Sequence, residues 1–290
     1  MNRFITAFRR RSLSEKLIFI NVGIFILVQL SSVLLRLFNI SADGILPLFE
    51  VPSSPAVLLK QPWSIITYAF LHAGVLHILF NMLWLYWFGQ IFLIYFTGKQ
   101  MSGLYLLGAV SGALVFVLAY SIFPYFSGKS GYLLGASASV MAIVFASAVY
   151  NPNFEIRLLF IGRIKLLYLA MATFLVDFLS ITSANAGGHF AHIGGALFGI
   201  LFALQYRKGR DLTSVINKPI DWVANLFPKQ GAKRGKMKVT YQNPNIDWSY
   251  NERKNKKTSE IDAILEKIKR SGYSSLSKEE KQKLFDAGSK

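Results

Sequence analysis

Residues 130–154 read SGYLLGASASVMAIVFASAVYNPNF, twenty-five positions without a formal charge. The apolar part, from Ser137 to Tyr150, predicts a helix of about 14 residues, roughly 21 Å at 1.5 Å per residue. A bilayer's hydrocarbon core is about 30 Å thick, so a helix this short starts inside the protein, from a loop that neighbouring helices shield from lipid. Its head is the small-residue run Gly135-Ala136-Ser137-Ala138-Ser139, and Ser137 therefore lies below the membrane surface. Hydroxyls and glycines at that depth either hold helices together or perform chemistry. Which of the two applies depends on what else can reach Ser137.

Outward from this stretch the chain is predominantly apolar between residues 17 and 206. Residues 1–206 carry 12 Lys/Arg and 5 Asp/Glu, whereas residues 207–290 carry 20 and 10. Uncharged intervals run from Leu17 to Leu35, Gln61 to Gly98 and Gln100 to Gly128, and from Leu166 to Tyr206 the only formal charge is Asp177. A spanning helix needs about 20 mostly apolar residues, so the chain is an all-α, polytopic, six-helix transmembrane bundle. The helices are expected near 17–37, 75–96, 101–122, 137–150, 166–181 and 189–206. Lys and Arg concentrate before the first helix, around Arg157, Arg163 and Lys165, and after Tyr206, which places both termini in the cytoplasm.

Four parts are expected. Residues 1–16 form a basic cytoplasmic N-terminus, read as such because no small-residue cleavage site closes the long apolar run that follows. Residues 17–206 form the transmembrane domain. Residues 207–257 form a basic linker without apolar periodicity, extended or disordered. Residues 258–290 form a small helical hairpin in which Ser277 and Glu280 make a capping box. Within the second part, residues 38–75 hold Pro47, Pro52, Pro55 and Pro62, which exclude a single spanning helix. The same segment is greasy and suits the outer interface.

The chain has no cysteine, which excludes disulfides and thiolate metal sites. Its charge of +17 flanks apolar spans rather than interleaving with stacking aromatics. A membrane surface is the partner this implies, not nucleic acid.

Only four histidines occur: His72, His77, His189 and His192. His77 and Asn81 are four apart and share a helix face, and His192 shares one with Gly195 and Gly199. Polar residues at membrane depth face the bundle interior and are candidates for function. Three readings of the set compete. In the first, these groups are interhelical hydrogen-bond glue. In the second, the four imidazoles hold a metal, although no H-E-x-x-H occurs and the His72–His77 spacing suits no single helix face. In the third, Ser137 is a nucleophile, His192 is its general base, and His77, Asn81 and the Ser137 N–H steady an oxyanion.

The motifs that carry these residues resemble those of the rhomboid intramembrane serine proteases of the six-helix bacterial type. His77-Ile78-Leu79-Phe80-Asn81 matches that family's H-x-x-x-N, Gly135-Ala136-Ser137 its G-x-S, and Ala191-His192-Ile193-Gly194-Gly195 its A-H-x-x-G, in order, within residues 15–206. The resemblance implies a Ser137–His192 dyad with His77 and Asn81 on the oxyanion, acting without metal or cofactor. It also implies that the substrates are transmembrane segments of other membrane proteins, and that the protein sits in a bacterial inner membrane. A rhomboid-like protein that binds membrane clients without cutting them is the alternative. Two positions depart from the family pattern. Ala138 stands where glycine is usual, and Ser64 stands after Trp63 where arginine is common. Ser139 is read as a packing hydroxyl, His189 as a cap or packing residue of the sixth helix, and Asp177 as a hydrogen-bonded structural residue rather than a third catalytic group.

Overall fold

The computed structural model describes residues 8, 11–41, 44–158, 162–183, 185–226 and 260–288. Helix α1 (Leu13–Leu37) starts four residues before its apolar run, because Ser12 and Glu15 form a capping box. The Glu15 N–H donates to Ser12 Oγ (3.3 Å), and the Ser12 N–H donates to the Glu15 carboxylate (2.9 Å). These bonds satisfy two of the donors a helix start leaves open. Helix α2 (Val75–Tyr95) is followed almost at once by α3 (Gly98–Ile122). The start of α3 precedes the expected Met101 because Thr97 and Gln100 form a second capping box. Helices α4 (Ser137–Tyr150), α5 (Leu166–Leu179) and α6 (Ala186–Arg207) complete the bundle. Among them α1, α2, α3 and α6 are long and apolar enough to cross a membrane, while α4 and α5 are shorter. Large apolar side chains such as Leu27, Leu79, Leu118 and Leu175 point outward, as lipid-facing positions do.

The segment between α1 and α2 is folded back and pinned by its own polar side chains. Gln61 Nε2 donates to the Pro47 and Glu50 carbonyls (2.9 and 3.0 Å), Trp63 Nε1 to that of Leu48 (2.8 Å), and Thr67 Oγ1 to that of Phe49 (2.8 Å). Strand β1 (Val51–Pro52) pairs antiparallel with β2 (Tyr132–Leu133), so this segment is tied to the approach to α4. The loop is therefore anchored without an arginine after Trp63.

Helix α4 is the centre of the packing: every residue from Ala138 to Ala148 is buried. Two faces of small residues admit it. A Cβ on Gly108 of α3 would stand 2.6 Å from the Ala142 Cβ. A Cβ on Gly195 or Gly199 of α6 would fall on the carbonyl oxygens of Ala138 and Ala142, well inside contact distance. Side-chain hydroxyls close the gaps. Ser139 Oγ donates to the Tyr105 carbonyl (2.7 Å), Ser111 Oγ to that of Gly194 (2.8 Å), and Tyr105 OH to that of Ala69 (2.8 Å). Ser139 is thus a packing hydroxyl, as expected. At the other end of α4, Arg207 reaches the Val149 and Tyr150 carbonyls, partners for acceptors that a helix C-terminus leaves open. Antiparallel strands β3 (Glu155–Leu158) and β4 (Gly162–Lys165) then lead into α5.

One expectation about the tail needs correction. The segment 207–257 does not begin as an irregular linker, because helix α7 (Ser214–Leu226) occupies its first part. Its Thr213–Asn217 edge fits over Gly103 of α3, Asn217 Nδ2 donates to the Lys99 carbonyl (2.9 Å), and Lys99 pairs with Asp221 (2.6 Å). A tertiary site on α3 thus organises a stretch whose own mixed composition and internal Pro219 argue weakly for a helix. Residues 227–257, expected to be extended or disordered, and 258–259, expected to begin the hairpin, lie outside the described residues. The chain divides into units Met1–Pro228 and Lys229–Lys290. In the second unit helix α8 (260–271) and helix α9 (Lys278–Gly288) form a hairpin across Gly272, which adopts φ +77°. The expected capping box is present: the Ser277 N–H donates to Glu280 (2.7 Å) and the Glu280 N–H to Ser277 Oγ (3.2 Å). Lys267 and Glu280 join the two helices (2.8 Å).

The close approach of α6 to α4 makes a direct prediction. Gly199→Ala should lower the thermal midpoint in detergent by the equivalent of about 1–3 kcal/mol, the range for overpacking a tight core. Gly23→Ala, with nothing within 4 Å of the new methyl, should leave it unchanged or slightly raised.

Candidate active site

Ser137 is delivered by a turn that only glycine makes without strain. Gly135 adopts φ +127°, a region L-residues rarely enter, and its N–H donates to the Tyr68 carbonyl (2.9 Å). A Cβ there would also stand 2.9 Å from Nε2 and Cε1 of His77 and 3.6 Å from Ser137 Oγ. Gly135 is therefore required twice, by its backbone and by the imidazole lying over it. The Ala136 carbonyl accepts the first intrahelical bond, from Val140. This leaves the N–H groups of Ser137, Ala138 and Ser139 without partners inside α4. The Ala138 departure has a simple resolution. Its φ is negative, and its methyl occupies the space that the absent side chain of Gly112 leaves on α3.

His77 and Asn81 project from α2 into the same space. The Ala73 N–H donates to His77 Nδ1 (3.4 Å), so the neutral ring carries its proton on Nε2, the nitrogen facing Gly135 and Ser137. Asn81 Nδ2 donates one N–H to the His77 carbonyl (2.9 Å) and retains a second. His72 sits behind His77, ring centroids 5.2 Å apart and edge to face. It is buried, and neither of its ring nitrogens has a hydrogen-bond partner among the described residues.

On the opposite side α6 presents His192 and His189, and α5 presents Asp177. Both imidazoles place Nδ1 2.8 Å from the same oxygen, Asp177 Oδ1. Asp177 is hydrogen-bonded, as expected, and His189 packs against it from within α6 rather than capping the helix, which begins at Ala186. One ligand atom from each of the three residues lies within 4.8 Å of the others, a set a metal could also use. The 2.8 Å separations are hydrogen-bond lengths, shorter than the ~3.3 Å between donor atoms of a tetrahedral site with 2.0–2.1 Å bonds. Two N–H groups donating to one carboxylate oxygen account for them.

His77, Asn81, Ser137, Asp177 and His192 face one cavity of about 980 Å³, and His72 and His189 are not part of its lining. Its polar lining includes His77, Asn81, Ser137, Asp177 and His192. Its apolar lining includes Phe80 and Trp84 of α2 and Ala172 and Val176 of α5. Among the described residues Ser137 Oγ and His192 are not hydrogen-bonded to each other.

Ser137, His77, His192 and Asn81 thus line one cavity of a helical bundle whose long helices are apolar enough to cross a membrane. The Rhomboid domain model matches residues 59–209, and the chain belongs to the rhomboid family, as an integral membrane protein. Residues 244–289 match a further family of unknown function (DUF6576). Among similar proteins, RHOMBOID-like protein 12, mitochondrial, of Arabidopsis thaliana is 30% identical over 158 residues, covering 51% of this chain and 47% of its own. Rhomboid-related protein 1 of Caenorhabditis elegans is 32% identical over 152 residues, covering 50% and 40%. Rhomboid protease GlpG of Pectobacterium atrosepticum is 27% identical over 187 residues, covering 63% and 59%. The chain thus spans about half the length of the curated relatives it matches.

Burial, reinforced by the neighbouring His77 ring, pushes the His72 imidazole down from its ordinary 6.5 to about 4. The unfolded chain takes up a proton there that the folded one refuses. His72 therefore costs stability as pH falls from about 6.5 to about 4, by up to ~3 kcal/mol, and costs nothing above that window. His72→Gln should flatten the loss of thermal midpoint between those pH values. An unchanged slope would clear His72 of that role.

Proposed function

We propose that this protein is an intramembrane serine endopeptidase that cleaves transmembrane segments of other membrane proteins. The observation that carries the reading is the convergence of Ser137, His192, His77 and Asn81 on one cavity from α4, α6 and α2. Ser137 Oγ attacks the scissile carbonyl carbon while His192 Nε2 takes its proton, and the same imidazole returns that proton to the leaving amine. Water then hydrolyses the acyl-enzyme by the reverse sequence. His77 Nε2–H, the second N–H of Asn81 and the Ser137 N–H supply donors for the oxyanion, inside a site where fixed dipoles act strongly.

The cavity's apolar walls support the substrate class. Phe80 and Trp84 on one side and Ala172 and Val176 on the other receive apolar side chains of an unwound helix, with the polar groups grouped at the Ser137 end. A transmembrane segment unwound at that point exposes carbonyls that lipid cannot satisfy, and the oxyanion donors meet that need. The distribution of Arg157, Arg163, Lys165, Arg207 and Lys208 supports an orientation with the Tyr150 end of α4 toward the cytoplasm and the Ser137 end outward. A bacterial inner membrane is the corresponding location. No metal or cofactor takes part in this mechanism.

Wild-type protein should cleave a model transmembrane substrate in proteoliposomes, and Ser137→Ala and His192→Ala should abolish cleavage while remaining folded. A fluorophosphonate should label the wild type at Ser137. Folded wild type that neither cleaves nor labels would instead favour client binding without proteolysis. His77→Ala and Asn81→Ala should each lower kcat by roughly 10²-fold, the scale for one lost oxyanion donor, with smaller changes in KM.

A further inference from the structure

We infer that Asp177 is a positioning residue that makes the site a Ser–His–Asp arrangement, with His189 holding its carboxylate in place. The inference rests on the protease reading above. Asp177 is the only formal charge between Leu166 and Tyr206, it is only 8% exposed, and α5 carries it to the cavity that Ser137 lines. A charge at that depth is costly unless it is paired and hydrogen-bonded. Here it receives two bonds of 2.8 Å, one from Nδ1 of His192 and one from Nδ1 of His189, on a single oxygen.

The chemistry of those bonds decides the state of the base. An ionised carboxylate only accepts, so both Nδ1 atoms carry protons. A neutral His192 then has its lone pair on Nε2, the nitrogen left for the cavity and Ser137. The opposite tautomer would aim a proton at Ser137 and could not act as its base. As Ser137 gives up its proton, the imidazolium formed on His192 lies against the carboxylate, which stabilises it where it stands. His189 has no place in the reaction itself. It lies one turn before His192 and occupies the second lone pair of the same oxygen, which restricts rotation of the carboxylate. A role confined to fastening α5 to α6 would use the same contacts and hold the same tautomer, so the two are separated by the rate at Ser137 in folded variants and not by the protonation of His192.

The test uses the full chain in proteoliposomes, comparing wild type with Asp177→Asn, Asp177→Glu and His189→Gln. The expected result is a fall in kcat of about 100-fold or more for Asp177→Asn, with KM within about threefold and the thermal midpoint nearly unchanged. Fluorophosphonate labelling of Ser137 should slow in parallel, Asp177→Glu should recover part of the loss, and His189→Gln should cost less than about tenfold. Asp177→Asn with wild-type kcat and labelling rate would overturn the inference while leaving the protease reading intact. Inactivity of folded wild type would instead remove that reading, and this inference with it. If Asp177→Asn fails to fold, Asp177→Glu, which keeps a carboxylate acceptor, decides. Labelling of Ser137 slower than wild type at an unchanged thermal midpoint supports the assignment, and a wild-type labelling rate overturns it.

Discussion

The contact on which the rest depends is the backbone-close packing of α4 between α3 and α6. Lipid is as apolar as leucine, so no hydrophobic force drives one helix against another in a membrane, and dispersion and hydrogen bonds must hold them. Both grow with proximity, and proximity here comes from missing side chains. Gly108 and Gly112 open α3, and Gly195 and Gly199 open α6 so far that the Ala138 and Ala142 carbonyls sit where side chains would be. With every residue from Ala138 to Ala148 enclosed, α4 can be shorter than the bilayer without exposing its ends to lipid. Its N-terminus therefore starts inside protein, with Ser137 on the cavity and its first N–H groups without partners inside the helix.

That placement makes the polar residues affordable at membrane depth. Asn81 spends one N–H on the His77 carbonyl, His77 Nδ1 accepts from Ala73, and Asp177 takes both histidines of α6. Each bond removes part of the desolvation cost and also sets a direction, so that His77 points its Nε2 toward Ser137. His72, with neither ring nitrogen bonded among the described residues, is tolerated because it stays neutral. The pairing of β1 with β2 holds the loop between α1 and α2 against the approach to Ser137. Polar side chains of that same loop do the anchoring that a missing arginine would otherwise suggest.

Much of the bundle could be read directly from residue order because the bilayer imposes one length and one polarity on each span. The motifs His77-x-x-x-Asn81, Gly135-x-Ser137 and Ala191-His192-x-x-Gly195 were equally legible, since each is local, two within a helix and one at the turn that starts α4. The errors share another cause. The early starts of α1 and α3 come from Ser12–Glu15 and Thr97–Gln100, polar capping boxes lying outside the apolar runs. Helix α7 owes its order to Gly103 and Lys99 of α3, more than a hundred positions away in the chain.

From residue types and spacing alone follow the membrane, the six helices and the short α4, while the grouping of His77, Asn81 and His192 with Ser137 was implied by the resemblance of their motifs to the rhomboid family. Periodicity and transfer energy are local quantities, and a single strand of sequence carries them. The partners of Asp177 were decided only by the fold. Alone on α5 it reads as an isolated charge, and His189 reads as a helix start, because nothing in sequence says which way α5 faces α6. Once the glycine face of α6 has seated that helix against α4, and α5 has closed over the cavity, one carboxylate oxygen stands 2.8 Å from two imidazoles.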